Sequence, residues 1–268
     1  MCVRPARDRR GVWRAYAAGG SADQSDGPGP PADYTRGVTG TGKPAERGRF
    51  ITIEGPEGSG KTTQVERLAA HLRADGHDVR VTREPGGTRL GEQLRAILLA
   101  RSEAAEPTDP LTDALLFEAA RRQLLRHVVR PALDAGATVV CARYSDSTLA
   151  YQGFGAGVPL DTLRALDRAA TDGLTPDLTV LLDVPVEVGL ARKGPADMTR
   201  FEADHDLAFH RGVREGFRRL AEASPQRFVT IDATLPEAEV TGAIVEAVAS
   251  RLHERSNEPS TADLRTHR

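Results

Sequence analysis

Five short apolar runs, separated by longer polar and apolar stretches, dominate the hydrophobic pattern between about residue 49 and residue 252. The runs are rich in β-branched residues and are apolar at successive positions, which is typical of strands buried on both faces of a parallel sheet. They predict strands at Phe50–Glu54, Asp78–Thr82, Thr138–Ala142, Leu178–Asp183 and Arg227–Ile231.

Apolar positions between these runs recur every three or four residues, which predicts amphipathic helices. The expected helices are Thr62–Ala74, Leu90–Ala100, Leu111–Leu133, Leu160–Ala170, Val186–Arg192, Leu207–Ala221 and Pro236–Leu252. Alternating strands and helices predict an α/β fold in which a doubly wound, five-stranded parallel sheet is the middle of three layers. Ligands of such folds bind beyond the carboxyl ends of the strands.

The two ends of the chain lack this pattern. Residues 1–48 are rich in Gly, Pro, Ala, Arg and Asp and have no sustained apolar period, so we expect a disordered extension. A start of translation further downstream is the alternative. Residues 253–268 are polar and are expected to form a flexible tail. One domain, residues 49–252, is therefore predicted.

Composition narrows the classes of function. The formal net charge is −2, so no global attraction to nucleic acid or to a membrane surface is expected. No apolar stretch is long enough to span a bilayer. Cys2 and Cys141 are the two cysteines, and Cys141 lies inside an apolar run, which favours a buried thiol in a reducing, cytoplasmic environment.

A phosphate-binding loop follows the first predicted strand. The segment Gly55–Thr62 fits G-x-x-x-x-G-K-[ST] at every fixed position and is followed by a helical pattern, which predicts a P-loop NTPase fold. Its amides would surround phosphate oxygens, Lys61 would reach the β- and γ-phosphates, and Thr62 would offer a hydroxyl to Mg²⁺. The residues expected to bind ATP here are Gly55, Pro56, Glu57, Gly58, Ser59, Gly60, Lys61, Thr62 and Thr63.

Three further segments are suited to a nucleotide. Arg83 and Arg143 follow the second and third predicted strands, where arginine can make bidentate contacts with phosphate. Phe117 and Arg121 are four residues apart and share a helix face, where they can stack on and hydrogen-bond a flat base. Each segment taken alone also fits an ordinary role: a solvated arginine, a polar loop or a core phenylalanine.

These motifs together, in this order, resemble the thymidylate kinase family from about Arg49 to Leu252. The matching segments are Phe50–Gln64, Thr82–Thr88, Ser147–Gly153, Pro176–Val184 and Ile231–Thr234. The resemblance implies ATP-dependent phosphorylation of dTMP to dTDP, with ATP as phosphoryl donor and Mg²⁺ as cofactor. It also implies a possible homodimer through the helix predicted at Leu111–Leu133.

The resemblance further implies roles for single residues. Arg83 and Arg143 would hold the dTMP phosphate, while Phe117 would stack on thymine and Arg121 would bond its edge. The other substrate contacts that it implies come from Glu57 near the acceptor sugar, Ser147 and Gln152 around the base, and Tyr151 against the deoxyribose. Thr234 would border the adenine of ATP.

The family resemblance also directs attention to a lid near residues 192–202. Ser59 occupies a P-loop position where some members carry an arginine, and members without that arginine place catalytic cations in the lid instead. Arg192 and Arg200 are the candidates in this chain. With Lys61 and Arg143 they complete the expected catalytic set.

Ala142 is the main departure from the family pattern, which has an aspartate at the end of the third strand. The family uses that carboxylate around Mg²⁺, so Thr62 with either Asp183 or Glu57 would have to organise the metal here. Three interpretations therefore stay open. The chain is an active dTMP kinase, a kinase for another pyrimidine nucleoside monophosphate, or a catalytically weak nucleotide-binding relative.

Overall fold

The computed structural model describes residues 47–100, 108–194 and 198–256. The expected extension up to residue 46 and the tail beyond residue 256 lie outside the described residues. Two residues of the expected extension are described: Arg47 contacts Asp177, and the buried Gly48 donates its N–H to the carbonyl of Leu133 at 2.8 Å. Ordered contacts therefore begin before the predicted domain start at residue 49.

The described chain forms a five-stranded sheet in which all neighbouring strands are parallel, in the order β2-β3-β1-β4-β5. The strands are Phe50–Glu54 (β1), Val79–Arg83 (β2), Thr138–Ala142 (β3), Leu178–Asp183 (β4) and Phe228–Asp232 (β5). This confirms the predicted α/β fold, with two strands beginning and ending one residue later than expected. The strand order reverses direction at β1, which places the predicted P-loop at the topological switch point.

Helices cover both faces of the sheet, and several begin at a side chain that suits a helix N-terminus. Thr88 and Asp206 accept N–H bonds from Gly91 and Phe209, and Asp109 caps a helix that begins with a proline. The α-helices are Lys61–Ala74 (α1), Arg89–Leu99 (α2), Pro110–Leu124 (α3), Arg130–Asp134 (α4), Ser145–Thr148 (α5), Leu160–Thr171 (α6), Val186–Ala191 (α7), Arg200–Asp204 (α8), Leu207–Ala223 (α9) and Glu237–Ser256 (α10). None of the helices in the described ranges is both long and apolar enough to cross a membrane.

The single α-helix predicted at Leu111–Leu133 is wrong in detail. A π-helical turn, Leu125–Val129, separates α3 from α4, and in it the N–H of Arg130 bonds to the carbonyl of Leu125. Pro131 follows directly and has no N–H to donate, so the regular hydrogen-bond pattern is interrupted here. A second π-helical turn, Leu149–Gly155, continues α5 and carries several of the predicted site residues.

The two-residue period of the strands decides which side chain faces which layer. Ile51 and Ile53 pack in the core against α1 and α10, so Thr52 and the buried Glu54 point to the opposite face, which α3 and α9 cover. The same alternation sends Ala142 toward α1 and Cys141 toward the other face. The number of residues that separate a strand-end residue from a known core residue, odd or even, therefore decides which side of the sheet its side chain faces.

The core on the α1 face carries a stability prediction. Leu68 is 1% exposed, whereas Leu235 is 42% exposed. We expect Leu68→Ala to lower the free energy of unfolding by about 2–5 kcal/mol, because it removes buried methyl groups and leaves a cavity. Leu235→Ala, the matched control, should change it by about 0.5 kcal/mol or less. Urea denaturation measures both, and equal losses would contradict the burial described for Leu68.

Candidate active site

The P-loop between β1 and α1 has a backbone that the glycines make possible. Gly58 has φ of 68°, and a Cβ at this position would clash with the carbonyl oxygen of Gly189. Gly60 has φ of 88° and directly precedes α1, so the amides of the first helical turn face the loop. The loop therefore has the form that the sequence motif predicts.

Lys61 is half-buried beside this loop. Its Nζ donates to the carbonyls of Pro56 at 2.7 Å and Gly55 at 3.0 Å and to the hydroxyl of Ser59 at 3.1 Å. Burial, followed by the nearby positive charge of Arg143, lowers the pKa of Lys61 to about 7. An anion placed in the loop would favour the charged form of this amine.

A cavity of about 440 Å³ opens at the carboxyl ends of the strands and continues from the P-loop. It brings together most of the predicted site residues, which come from the P-loop with the start of α1, from α3 and from the segment after β3. Those that line it are Glu57, Gly58, Gly60, Lys61, Thr62, Thr63, Phe117, Arg121, Arg143, Ser147, Tyr151 and Gln152.

Arg143 is the most highly connected of these side chains. Its Nη2 donates to Glu57 at 2.7 Å and to the hydroxyl of Tyr151 at 3.1 Å, and its Nη1 donates to Ser147 at 3.1 Å. The guanidinium also lies over the Tyr151 ring, 4.9 Å from the centroid. These contacts fix a positive charge at the boundary between the P-loop and the rest of the cavity.

Glu57 is surrounded by cations. Burial alone would raise the pKa of its carboxyl group, but Arg143, Lys61 and Lys193 together lower that pKa well below its ordinary value. The hydroxyl of Tyr151 donates a further hydrogen bond at 2.8 Å. Glu57 is consequently ionised at neutral pH and serves as the counter-charge of the site.

The inner end of the cavity contains the guanidinium and the aromatic ring that the sequence placed on one helix face. Arg121 is 1% exposed, pairs with Glu84 at 2.8 Å and with Glu118, and donates to the hydroxyl of Thr148 at 3.0 Å. Phe117 lies beside it on α3, with its ring centroid 6.2 Å from that of Phe201. Sequence reasoning missed Thr148, although it lies within the matching segment Ser147–Gly153.

Arg83 lies away from this cavity, contrary to its predicted place beside Arg143. Its side chain is 55% exposed and pairs with Glu92 at 3.2 Å, in a neighbouring cavity on the α1 face. Strand parity explains the difference, because Arg83 shares its face with Val79 while Glu84 points to the opposite side. The bond between Glu84 and Pro85 is cis.

Arg95 takes the place that the sequence suggested for Arg83. It extends from α2, lines the main cavity and donates to the carbonyl of Pro85 at 2.9 Å. Burial, followed by the charges of Arg83 and Arg143, lowers its pKa from the ordinary value. Sequence reasoning missed this residue because only the packing of α2 against the Glu84–Pro85 turn brings it to the strand ends.

The segment expected to form the lid contributes a different cation from the two predicted. Arg192 donates to the carbonyls of Ala233 at 2.9 Å and Gly58 at 3.5 Å, so it bridges the P-loop to the chain after β5. Arg200 pairs with Asp113 at 2.6 Å and does not line the cavity. Lys193, which does line the cavity, lies 3.4 Å from Glu57 and also pairs with Glu202.

Known proteins with similar sequences point to one family. A sequence model of the family described as thymidylate kinase matches residues 53–244. The chain belongs to the thymidylate kinase family. The thymidylate kinase of Deinococcus radiodurans is 54% identical over 210 residues, which span 77% of this chain and 99% of the relative. The thymidylate kinase of Thermomicrobium roseum is 52% identical over 211 residues, which span 78% of this chain and 99% of the relative.

A solved structure has the same fold. The crystal structure of thymidylate kinase from Ehrlichia chaffeensis superposes with a TM-score of 0.61 at 33% sequence identity. The match covers 75% of this chain and 99% of that chain. The chain is therefore an enzyme of the nucleoside monophosphate kinase class, with the P-loop fold of the thymidylate kinases.

The donor groups suited to Mg²⁺ in this thymidylate kinase family member are few. Thr62 lines the main cavity and is suited to the metal, since Mg²⁺ is commonly held by a P-loop hydroxyl, phosphate oxygens and waters. Asp183 is not suited to the metal, because it points to the α9 face. There Arg214 donates to both of its carboxylate oxygens, at 2.7 and 2.9 Å. No cluster of three His, Cys, Asp or Glu side chains suited to a metal occurs among the described residues.

Thr234 lies just beyond β5, where the resemblance places adenine. Its N–H and hydroxyl both bond to Asp232, at 2.8 and 2.6 Å, and the preceding carbonyl accepts from Arg192. Through Arg192 this turn is tied to the P-loop. Thr234 therefore lies on the outer side of the P-loop rather than in the main cavity.

Arg200 and Lys193, two cations of the expected lid segment, should have different roles, the first structural and the second catalytic. We expect Arg200→Met to lower the free energy of unfolding by about 3 kcal/mol, since it leaves the buried Asp113 unpaired, and to leave kcat within about threefold. Lys193→Met should instead lower kcat about tenfold or more, because it removes a cavity cation. Steady-state kinetics of the two variants, at a temperature below the melting transition of each, measure kcat. A larger loss of kcat in Arg200→Met than in Lys193→Met would contradict it.

Proposed function

We propose that ATP and dTMP bind to the two ends of the main cavity and that Arg143 lies where their phosphates meet. The product of the transfer would be dTDP. Membership of the thymidylate kinase family supports this activity. The observation that carries the assignment of residues is the joining of the P-loop to a pocket built from Phe117, Arg121 and Tyr151 in one cavity.

The donor end would be the P-loop. Its amides and the N-terminus of α1 would bind the β- and γ-phosphates, and Lys61 would exchange its bonds to the loop carbonyls for phosphate oxygens. Thr62 would hold Mg²⁺, which shields the charge of the phosphates when bound. Arg192 and Thr234 would border the nucleoside of ATP, outside the P-loop.

The acceptor end would be the inner cavity. Arg143 and Arg95 would bind the dTMP phosphate, Phe117 would stack on the thymine, and Arg121 with Thr148 would bond its polar edge. Because Glu84 and Glu118 already fix Arg121, this guanidinium is held in one orientation before the base binds. The ring of Tyr151 beside the sugar would disfavour a 2′-hydroxyl.

Positioning and charge neutralisation would account for the catalysis. The acceptor phosphate is already anionic, so its oxygen needs no strong general base for in-line attack on the γ-phosphorus. The bond from that phosphorus to the bridging oxygen of ADP breaks as the new bond forms, and negative charge spreads over the transferred oxygens. Lys61, Arg143 and Lys193 would stabilise that charge, in a cavity where partial burial strengthens each interaction.

The test of this function is ADP release by the purified chain with Mg-ATP, alone and with dTMP, dUMP, UMP or dCMP. We expect the highest kcat/KM with dTMP, and loss of at least about 100-fold in Lys61→Ala with the circular dichroism spectrum unchanged. A higher kcat/KM with another acceptor would indicate a different pyrimidine kinase. ATP binding without turnover with any acceptor would indicate a catalytically weak relative.

Ala142 carries a separate prediction. Its methyl group faces α1 and the neighbouring cavity that Thr62 and Glu66 also line, and it offers no oxygen to a metal-bound water. We expect Ala142→Asp to raise kcat by about tenfold, with Ala142→Asn as the uncharged control. Rates as a function of Mg²⁺ concentration measure the effect. An unchanged rate and Mg²⁺ dependence would mean that other groups already organise the metal.

A further inference from the structure

Glu54, the last residue of β1, is a fully buried carboxylate that the proposed mechanism does not use. One of its oxygens accepts the backbone N–H of Tyr144 at 2.6 Å, and the other accepts the hydroxyl of Ser147 at 2.7 Å. Both donors belong to the segment that follows β3. Glu54 therefore joins the strand before the P-loop to the segment that carries the phosphate-binding arginine.

The turn that Glu54 holds has a constrained backbone. Arg143 has φ of 68°, a left-handed conformation that is uncommon for residues other than glycine and is kept only where its surroundings enforce it. The Arg143 N–H bonds to the carbonyl of Ile53 at 3.0 Å, and the next N–H, that of Tyr144, bonds to Glu54. Two successive amides of the turn are thus fixed by the end of β1.

A second chain of contacts reaches the guanidinium itself. Ser147 donates its hydroxyl proton to Glu54 and accepts a bond from Nη1 of Arg143 at 3.1 Å. The Ser147 hydroxyl therefore links Glu54 to Arg143, although the family resemblance placed Ser147 around the base. Glu54 acts on Arg143 both through the backbone and through a side chain.

We propose that Glu54 is a positioning residue that fixes the left-handed turn at Arg143 and so holds the guanidinium where the acceptor phosphate binds. The inference rests on the proposed function, because it takes that phosphate as the ligand of Arg143. Glu54 acts through the Tyr144 amide and the Ser147 hydroxyl and has no contact with substrate of its own.

The electrostatic surroundings make this contact sensitive to pH. Burial and the nearby charge of Asp146 raise the pKa of Glu54 to about 7, while Ser147 and Arg143 lower it in part. The charged and titratable groups that face it from the surrounding segments are Lys61, Glu84, Cys141, Arg143, Asp146 and Arg227. Protonation removes one acceptor, so the turn is held best above this pKa and is released as the pH falls through it.

The test is calorimetric titration of dTMP and of ADP into the wild type, Glu54→Gln and Ser147→Ala. We expect both variants to bind dTMP about tenfold more weakly, and ADP within about twofold of the wild type. Thr52→Val is the matched control, because it removes a buried hydrogen bond to Thr179 on the same face of β1 without touching the turn. It should bind dTMP as the wild type does.

The pH dependence separates positioning from a purely structural role. From about pH 8 to about pH 6 the wild type should lose dTMP affinity through two titrations, that of the dTMP phosphate and that of Glu54. In Glu54→Gln only the titration of the dTMP phosphate should remain. The Tyr144 amide proton, followed by NMR in the ligand-free wild type, should titrate near pH 7, and this titration should be absent in Glu54→Gln.

Unchanged dTMP affinity in both variants, equal weakening of ADP and dTMP, or an untitrating Tyr144 amide would overturn the inference. If Glu54→Gln does not fold, Ser147→Ala and the wild-type amide titration decide it. Failure of the wild type to bind dTMP would overturn the proposed function instead. The amide titration would then still report whether Glu54 holds the turn.

Discussion

The left-handed turn at Arg143 is the constraint on which the rest of the site depends. One guanidinium there contacts the P-loop carbonyl of Gly55, the carboxylate of Glu57 and the hydroxyls of Ser147 and Tyr151. The turn is held by the end of β1, which is also the strand that leads into the P-loop. The proposed donor and acceptor subsites would therefore share one rigid origin, which suits a reaction in which two anionic phosphates must be brought into line.

Burial of charge is the cost of this arrangement, and the structure offsets it by pairing. Arg121 lies between Glu84 and Glu118, Lys193 lies between Glu57 and Glu202, and Arg200 is paired with Asp113. An unpaired charge in such surroundings would shift its pKa and neutralise. The pairs also keep each cation in one orientation, so little reorganisation is needed when a nucleotide binds.

The sequence predicted the fold and the composition of the cavity because both follow from local pattern. The strands are apolar runs, and the P-loop is a contiguous motif. The structure departs from the expected placement where contacts join distant segments or where the alternation of side chains along a strand decides. Arg83 and Asp183 point away from the main cavity, and Arg200 meets Asp113, 87 residues earlier. Arg95 was missed because no motif near it indicates which strand end α2 approaches.

The central claim, that Arg143 binds the phosphate of the acceptor, is tested most directly by comparing dTMP with thymidine. Titration calorimetry with the wild type should give dTMP an affinity at least about tenfold above that of thymidine, since a charge-assisted phosphate contact is present only in dTMP. In Arg143→Met that difference should shrink by about threefold or more while thymidine affinity is kept, since Arg95 would remain as a second cation for the phosphate. A full dTMP preference in Arg143→Met would contradict the account.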